Sequence, residues 1–102
     1  MDQTILLNWK EKLAYSPEGP NPRVLTENSE LKILIAGLEA GQRIPEHPEA
    51  KAVYTFLEGE GWMTVNGERF PVEPGVVIVT PDMASRGVEA TSRMVFLATR
   101  IT

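Results

Sequence analysis

The chain contains no cysteine and a single histidine among its 102 residues. Without thiols there is no disulfide framework, no thiolate metal ligand and no cysteine nucleophile, a usage that fits a reducing, cytoplasmic setting. Basic residues are also scarce. Ten Lys and Arg stand against fourteen Asp and Glu, giving a net charge of −4. They are scattered rather than clustered, which argues against nucleic acid as a partner, because phosphate-backbone affinity comes from grouped cations. Long apolar runs are missing as well. The longest aliphatic stretch, "VVIV" at Val76 to Val79, falls far short of the roughly 20 residues that span a bilayer. The opening "MDQTILLNWKEK" has neither the charged start nor the roughly 7–15-residue apolar stretch of a secretory signal. The expectation is a soluble cytoplasmic chain with no membrane partner. At this length one domain can bury about 60–70% of its unfolded surface and sustain a core without disulfides.

What is present reads as strands. In "LKILIAGL" (Leu31 to Leu38) and "WMTVNGERFPV" (Trp62 to Val72) apolar and polar residues roughly alternate, with frequent β-branched and aromatic side chains. No segment sustains a helical three-four apolar period. Asn66-Gly67 between two such runs predicts a hairpin of Trp62 to Val65 with Glu68 to Val72, because a type I′ turn needs positive φ at both central positions. Turn chemistry recurs at Glu39-Ala40-Gly41, Glu58-Gly59-Glu60-Gly61, Glu73-Pro74-Gly75 and Pro81-Asp82. Many short strands at this spacing imply an all-β sandwich or barrel. "YSPEGPNPR", Tyr15 to Arg23, reads as a surface loop. One domain over 1–102 is expected, with an N-terminal strand-and-loop arm at 1–29 and a barrel core at 30–102.

Two stretches carry a family resemblance. Gly41-x5-His47-x-Glu49 followed by "YTFLEGEG" resembles the first cupin motif: Gly, five residues, His-x-His, three or four residues, Glu, then six residues to a Gly. Gly75-x5-Pro81-x-Met83-x2-Arg86 resembles the second: Gly, five residues, Pro-x-Gly, two residues, His. With the hairpin between them, the likeness covers about residues 30 to 100. It implies a small double-stranded β-helix, the cupin or jelly-roll barrel, and a homodimer, since exposed strand edges favour pairing.

The resemblance also implies a metal site that this sequence does not complete. Cupins commonly hold Fe, Mn, Ni or Zn with three His and one Glu. Here His47 matches the first position, Glu49 takes the second His, Ala52 or Val53 takes the Glu, and Arg86 takes the last His. One imidazole and one carboxylate are too few for a tight transition-metal site, so no cofactor is expected and a divalent metal is disfavoured. Arg86 brings a guanidinium to the place where the family puts a metal. Three arrangements are open to it: a bidentate pair with the Glu49 carboxylate, a solvent-facing position at the barrel mouth, or capture of an anionic ligand. His47 is a hydrogen-bonded strand-end residue, a general acid or base, or part of a weak metal site with Glu49.

Tyr54 and Phe56 share one face if His47 and Glu49 point inward, and they either fill the core or wall a small pocket. His47, Glu49, Arg86, Tyr54 and Phe56 are thus the candidate ligand-binding residues, with His47 and Tyr54 the candidates for proton transfer. The leading reading is a small cupin barrel that binds a small molecule, an anion among the candidates, without a tightly bound metal. The alternative is a cupin enzyme, an isomerase or epimerase or a degenerate metal-dependent oxygenase, acting on a small metabolite. A third is a filled barrel that serves assembly. Fold alone does not choose among them.

Overall fold

A computed structural model describes residues 4–101. Nine strands follow a single 3-10 turn at Trp9–Glu11: β1 (Asn21–Glu27), β2 (Leu31–Leu38), β3 (Arg43–Pro48), β4 (Ala52–Glu58), β5 (Gly61–Val65), β6 (Glu68–Val72), β7 (Val77–Thr80), β8 (Ser85–Ala90) and β9 (Met94–Ile101). They form a five-stranded sheet in the order β1-β2-β9-β4-β7 and a four-stranded sheet in the order β3-β8-β5-β6. Every pairing is antiparallel. This is the all-β jelly-roll arrangement that the sequence implies. Among the described residues no helix is long and apolar enough to cross a membrane.

The predicted hairpin forms in the expected register. Gly61 to Val65 lie opposite Val72 to Glu68, and the turn holds Asn66 at φ 49° and Gly67 at φ 82°. Strand β7, from the "GVVIV" run, pairs along β4. Strand β1 pairs with β2 at the edge of the larger sheet and takes in Asn21 to Arg23, so the surface loop expected over Tyr15 to Arg23 ends earlier, where backbone pairing with β2 begins. The arm therefore contributes a barrel strand.

The core lies between the sheets because side chains alternate across each strand. Ala52, Tyr54 and Phe56 of β4 and Phe96 and Ala98 of β9 face Met63, Val88 and Ala90 of the smaller sheet, all nearly inaccessible to solvent. Full burial of each large apolar side chain stabilises the fold by roughly 1.5–3 kcal/mol, set against the entropy of ordering the chain. Phe96 stacks in tilted geometry on Tyr54 at 5.7 Å and on Phe56 at 5.5 Å.

A polar cluster fastens the N-terminal segment to the sheet. Arg93 donates two hydrogen bonds to the Glu39 carboxylate, at 2.8 and 2.9 Å, and its guanidinium stacks 4.2 Å from the Tyr15 ring centroid. Those bonds hold the Glu39 carboxyl below its ordinary range. Burial, and then the Glu58 charge, push the Tyr15 phenol up.

Candidate functional site

The motif residues converge where β3 meets β8. Strand β3 lies at the edge of its sheet and carries Pro45 and Pro48, which an edge tolerates because no neighbour there requires the missing N–H. Its pairing with β8 slips between Ile44 and His47. This bulge resets the alternation, so that Ile44 and His47, three residues apart, both face the interior, where a regular strand would turn Pro45 and His47 inward. His47 sits opposite Arg86. Its Nδ1 lies 2.9 Å from the Pro45 carbonyl, and because a carbonyl only accepts, that contact places a proton on Nδ1. Nε2 is left 3.7 Å from Glu49 Oε2.

Arg86 adopts neither the carboxylate pair nor the solvent-facing position left open by the sequence. It is 1% exposed, which removes the solvent-facing position. Its guanidinium donates to four backbone carbonyls: Nε to Ala84 at 2.9 Å, Nη1 to Ala50 at 2.7 Å, and Nη2 to Glu49 at 2.7 Å and Pro81 at 3.1 Å. No ion pair among the described residues involves Arg86. Glu49 supplies its carbonyl, not its carboxylate. The physical reason is local: carbonyls of the β3–β4 and β7–β8 turns point inward without ladder partners, buried acceptors must find donors, and a planar fork of N–H groups reaches several at once. Arg86 thus ties two turns together across the barrel end.

Beside this clamp lies a cavity of about 150 Å³. Leu34, Ala36, Tyr54, Phe96 and Ala98 form its apolar wall, with Pro22 and Ile44. Its polar lining is His47, Arg86 and Arg100, with no Asp or Glu. The Tyr54 ring centroid lies 6.0 Å from the Arg86 guanidinium carbon. Arg100 Nη2 stands 3.5 Å from Glu49 Oε2, and its buried Nε has no hydrogen-bond partner.

Of the candidate residues, His47, Tyr54 and Arg86 meet around this cavity. Glu49 stands outside its lining, its carboxylate between His47 and Arg100. Phe56, 1% exposed, packs in the core against Phe96. Arg100 was missed, since it lies past the second motif. Alternation along "FLATRI" could have found it, because Phe96, Ala98 and Arg100 share one face of β9.

These residues do not fit the metal that the family resemblance implies. One imidazole and one carboxylate oxygen are near each other, the third motif position presents Ala52 or Val53, and the fourth presents a guanidinium already bonded to carbonyls. Among the described residues no cluster of three His, Cys, Asp or Glu could hold a metal ion.

The second motif also departs at Met83, which takes the turn-glycine position and holds φ at 63° while its amide donates to the Glu49 carbonyl at 2.7 Å. A left-handed conformation is unfavourable for a side chain by roughly 1–2 kcal/mol, and Met83, 62% exposed, packs little in return. Met83→Gly should stabilise the fold by about 0.5–1 kcal/mol after the extra entropy of glycine in the unfolded chain. Urea denaturation checks it, and a loss of stability would mean that the methionine makes contacts worth more than its strain.

Comparison with known proteins places this geometry. The chain resembles an RmlC-like cupin from Desulfovibrio desulfuricans at 28% identity and TM-score 0.82, covering 99% of this chain and 96% of that one. It is similar to a double-stranded β-helix protein from Klebsiella pneumoniae at 17% identity and TM-score 0.87, over 97% and 90% of the two chains. Salicylate 1,2-dioxygenase from Pseudoaminobacter salicylatoxidans shares the fold at 20% identity and TM-score 0.76, over 85% of this chain but 28% of the dioxygenase. A search of the curated proteins found no match. The cupin domain family matches residues 34–100, the span that holds both motifs, the Arg86 clamp and most of the cavity wall, and the chain belongs to the cupin family.

Proposed function

We propose that this cupin binds a small molecule in the cavity beside Arg86 and works without a tightly bound metal. The observation that carries the reading is the cavity itself, about 150 Å³ of largely apolar wall with three cation-capable side chains on its surface. Small-molecule sites combine apolar walls with a few placed polar groups, and small barrels can hold one ligand. Arg86 supports the metal-free part, since it occupies a family ligand position and is bonded to carbonyls. In this reading the chain acts as a cytoplasmic homodimer. The edge strand β7 leaves Val77 and Val79 55% and 66% exposed, surface that a second copy could cover.

An enzymatic reading, an isomerase or epimerase, draws support from one observation: His47 and Tyr54, two groups able to exchange protons, line the same cavity.

The test fills the cavity. A benzene-sized fragment should bind the wild-type protein by ligand-observed NMR, and Ala98→Leu, which places extra methyl groups where the fragment sits, should abolish binding while circular dichroism shows the fold retained. Unchanged binding in that variant would move the site elsewhere. Elemental analysis of the same sample should find far less than one metal per chain, and about one per chain, lost in His47→Ala, would overturn the metal-free part.

A further inference from the structure

We infer that the ligand is a small monocarboxylate with an apolar body of about benzene's size, anchored by Arg100. The inference rests on the cavity being a ligand site, as proposed above.

Size comes first. A cavity of about 150 Å³ lined by aliphatic and aromatic side chains is enough to enclose benzene, and leaves little room for a sugar or a nucleotide. Polarity then sets the orientation. The apolar wall is deep, with Ala36, Phe96 and Ala98 at 3% exposure or less and Tyr54 at 6%. Apart from Arg86, which is buried on its carbonyls, the charged groups sit toward solvent, with side-chain exposures of 25% for Arg100, 29% for Glu49 and 43% for His47. An occupant therefore enters apolar end first and keeps its polar end at the rim.

Charge decides what that polar end is. In a chain of net charge −4, the cavity lining has two arginines, one histidine and no carboxylate. The nearest carboxylate paired with Arg100, Glu49, is shared with His47. One carboxylate beside Arg100, and none paired with the Arg86 guanidinium, leave the site short of negative charge, and a ligand carboxylate supplies it.

Of the two arginines, Arg86 has four of its five N–H donors on carbonyls, and Arg100 has more to give. Arg86 uses Nε, Nη1 and Nη2 on backbone carbonyls at 2.7–3.1 Å. Among the described residues the Arg100 side chain has one polar contact, at 3.5 Å to Glu49, which is long beside the roughly 2.7–2.9 Å of a charge-assisted hydrogen bond, and a buried Nε without a partner. An arginine held loosely by a competitor and carrying an unpaired donor is ready to exchange that competitor for a better acceptor. Glu49 can release it at small expense, because its side chain is 29% exposed and its carboxylate can be hydrated instead.

Benzoate and benzamide, of nearly equal shape and differing in charge, test this by calorimetric titration of the full chain at fixed ionic strength. Wild-type protein should bind benzoate at least tenfold more tightly than benzamide. Arg100→Met, which keeps the side chain's length, should erase the preference while leaving benzamide binding. Glu49→Gln should strengthen benzoate binding several-fold by removing the competing carboxylate, an effect that a merely structural role for Glu49 would not produce, and one still readable if Arg100→Met folds poorly. Equal binding of the two probes to wild type, a preference that survives Arg100→Met, or weaker or unchanged benzoate binding in Glu49→Gln would overturn the anchor while leaving the cavity as a site. Failure of both probes to bind would overturn the cavity reading together with it.

Discussion

Replacing Arg86 with methionine should lower the free energy of unfolding by about 3–5 kcal/mol. Four carbonyls at 2.7–3.1 Å lose the guanidinium at once, those of Glu49 and Pro81 keeping only the amides of Met83 and Ala84, and a thioether of similar length restores none of the lost bonds. Leaving a buried acceptor unpaired is unfavourable by roughly 1–3 kcal/mol, with the sum reduced because the turns relax and water enters. Against a total stability of roughly 5–15 kcal/mol this is a large fraction. Arg86→Lys should fall in between, since an ammonium has three donors and no planar fork to span two turns. The partner's identity gives a sharper reading. Were Glu49's carboxylate the partner, adding Glu49→Gln to Arg86→Met would recover much of the loss. With carbonyls as partners, the double variant should be no more stable than Arg86→Met alone. Equilibrium urea denaturation of the four proteins decides it, and a rescue, or a loss below about 1 kcal/mol, would overturn the clamp.

Gly59→Ala should be similarly damaging, by about 3–5 kcal/mol, for steric reasons. Gly59 lies in the β4–β5 turn at φ 79°, and a Cβ there would fall on the Arg93 carbonyl. Backbone on both sides must shift to admit one methyl group. Gly67→Ala is the natural control. It has almost the same φ, 82°, but nothing within 4 Å of its added Cβ, so it should lose only the roughly 1–2 kcal/mol of left-handed strain. The difference between the two variants isolates the clash. Equal losses in denaturation experiments would show that the turn can open to accept the methyl.

Much of the fold is legible in the sequence because its signals are local. Asn66-Gly67 specifies a turn whose backbone few other pairs adopt, and its strands then pair in the only register that the turn allows. Tyr54 and Phe56 face inward for the same reason of short range, a two-residue period in β4. The site is harder to read, and Arg86 shows why. Residue type says that a guanidinium seeks oxygen, but two of its acceptors are backbone atoms 36 and 37 positions away, and every residue carries a carbonyl. No side-chain pattern distinguishes the ones that lack partners. Likewise the bulge in β3, which spans Pro45 and Glu46, shifts His47 in a way that simple alternation does not anticipate. Arg100 belongs to the legible part, its position on the inner face of β9 following from Phe96 and Ala98.

The guanidinium of Arg86 also changes how the barrel comes to completion. A barrel end organised around an ion depends on supply: the chain is made, waits, acquires metal from a limited pool, and can acquire the wrong one. Here the tie between the two turns is synthesised with the polypeptide, one per chain, and its closure answers only to the folding of β4, β7 and β8 around it. For this closure there is no loading step, no mismetallated form, and nothing that a chelator could withdraw.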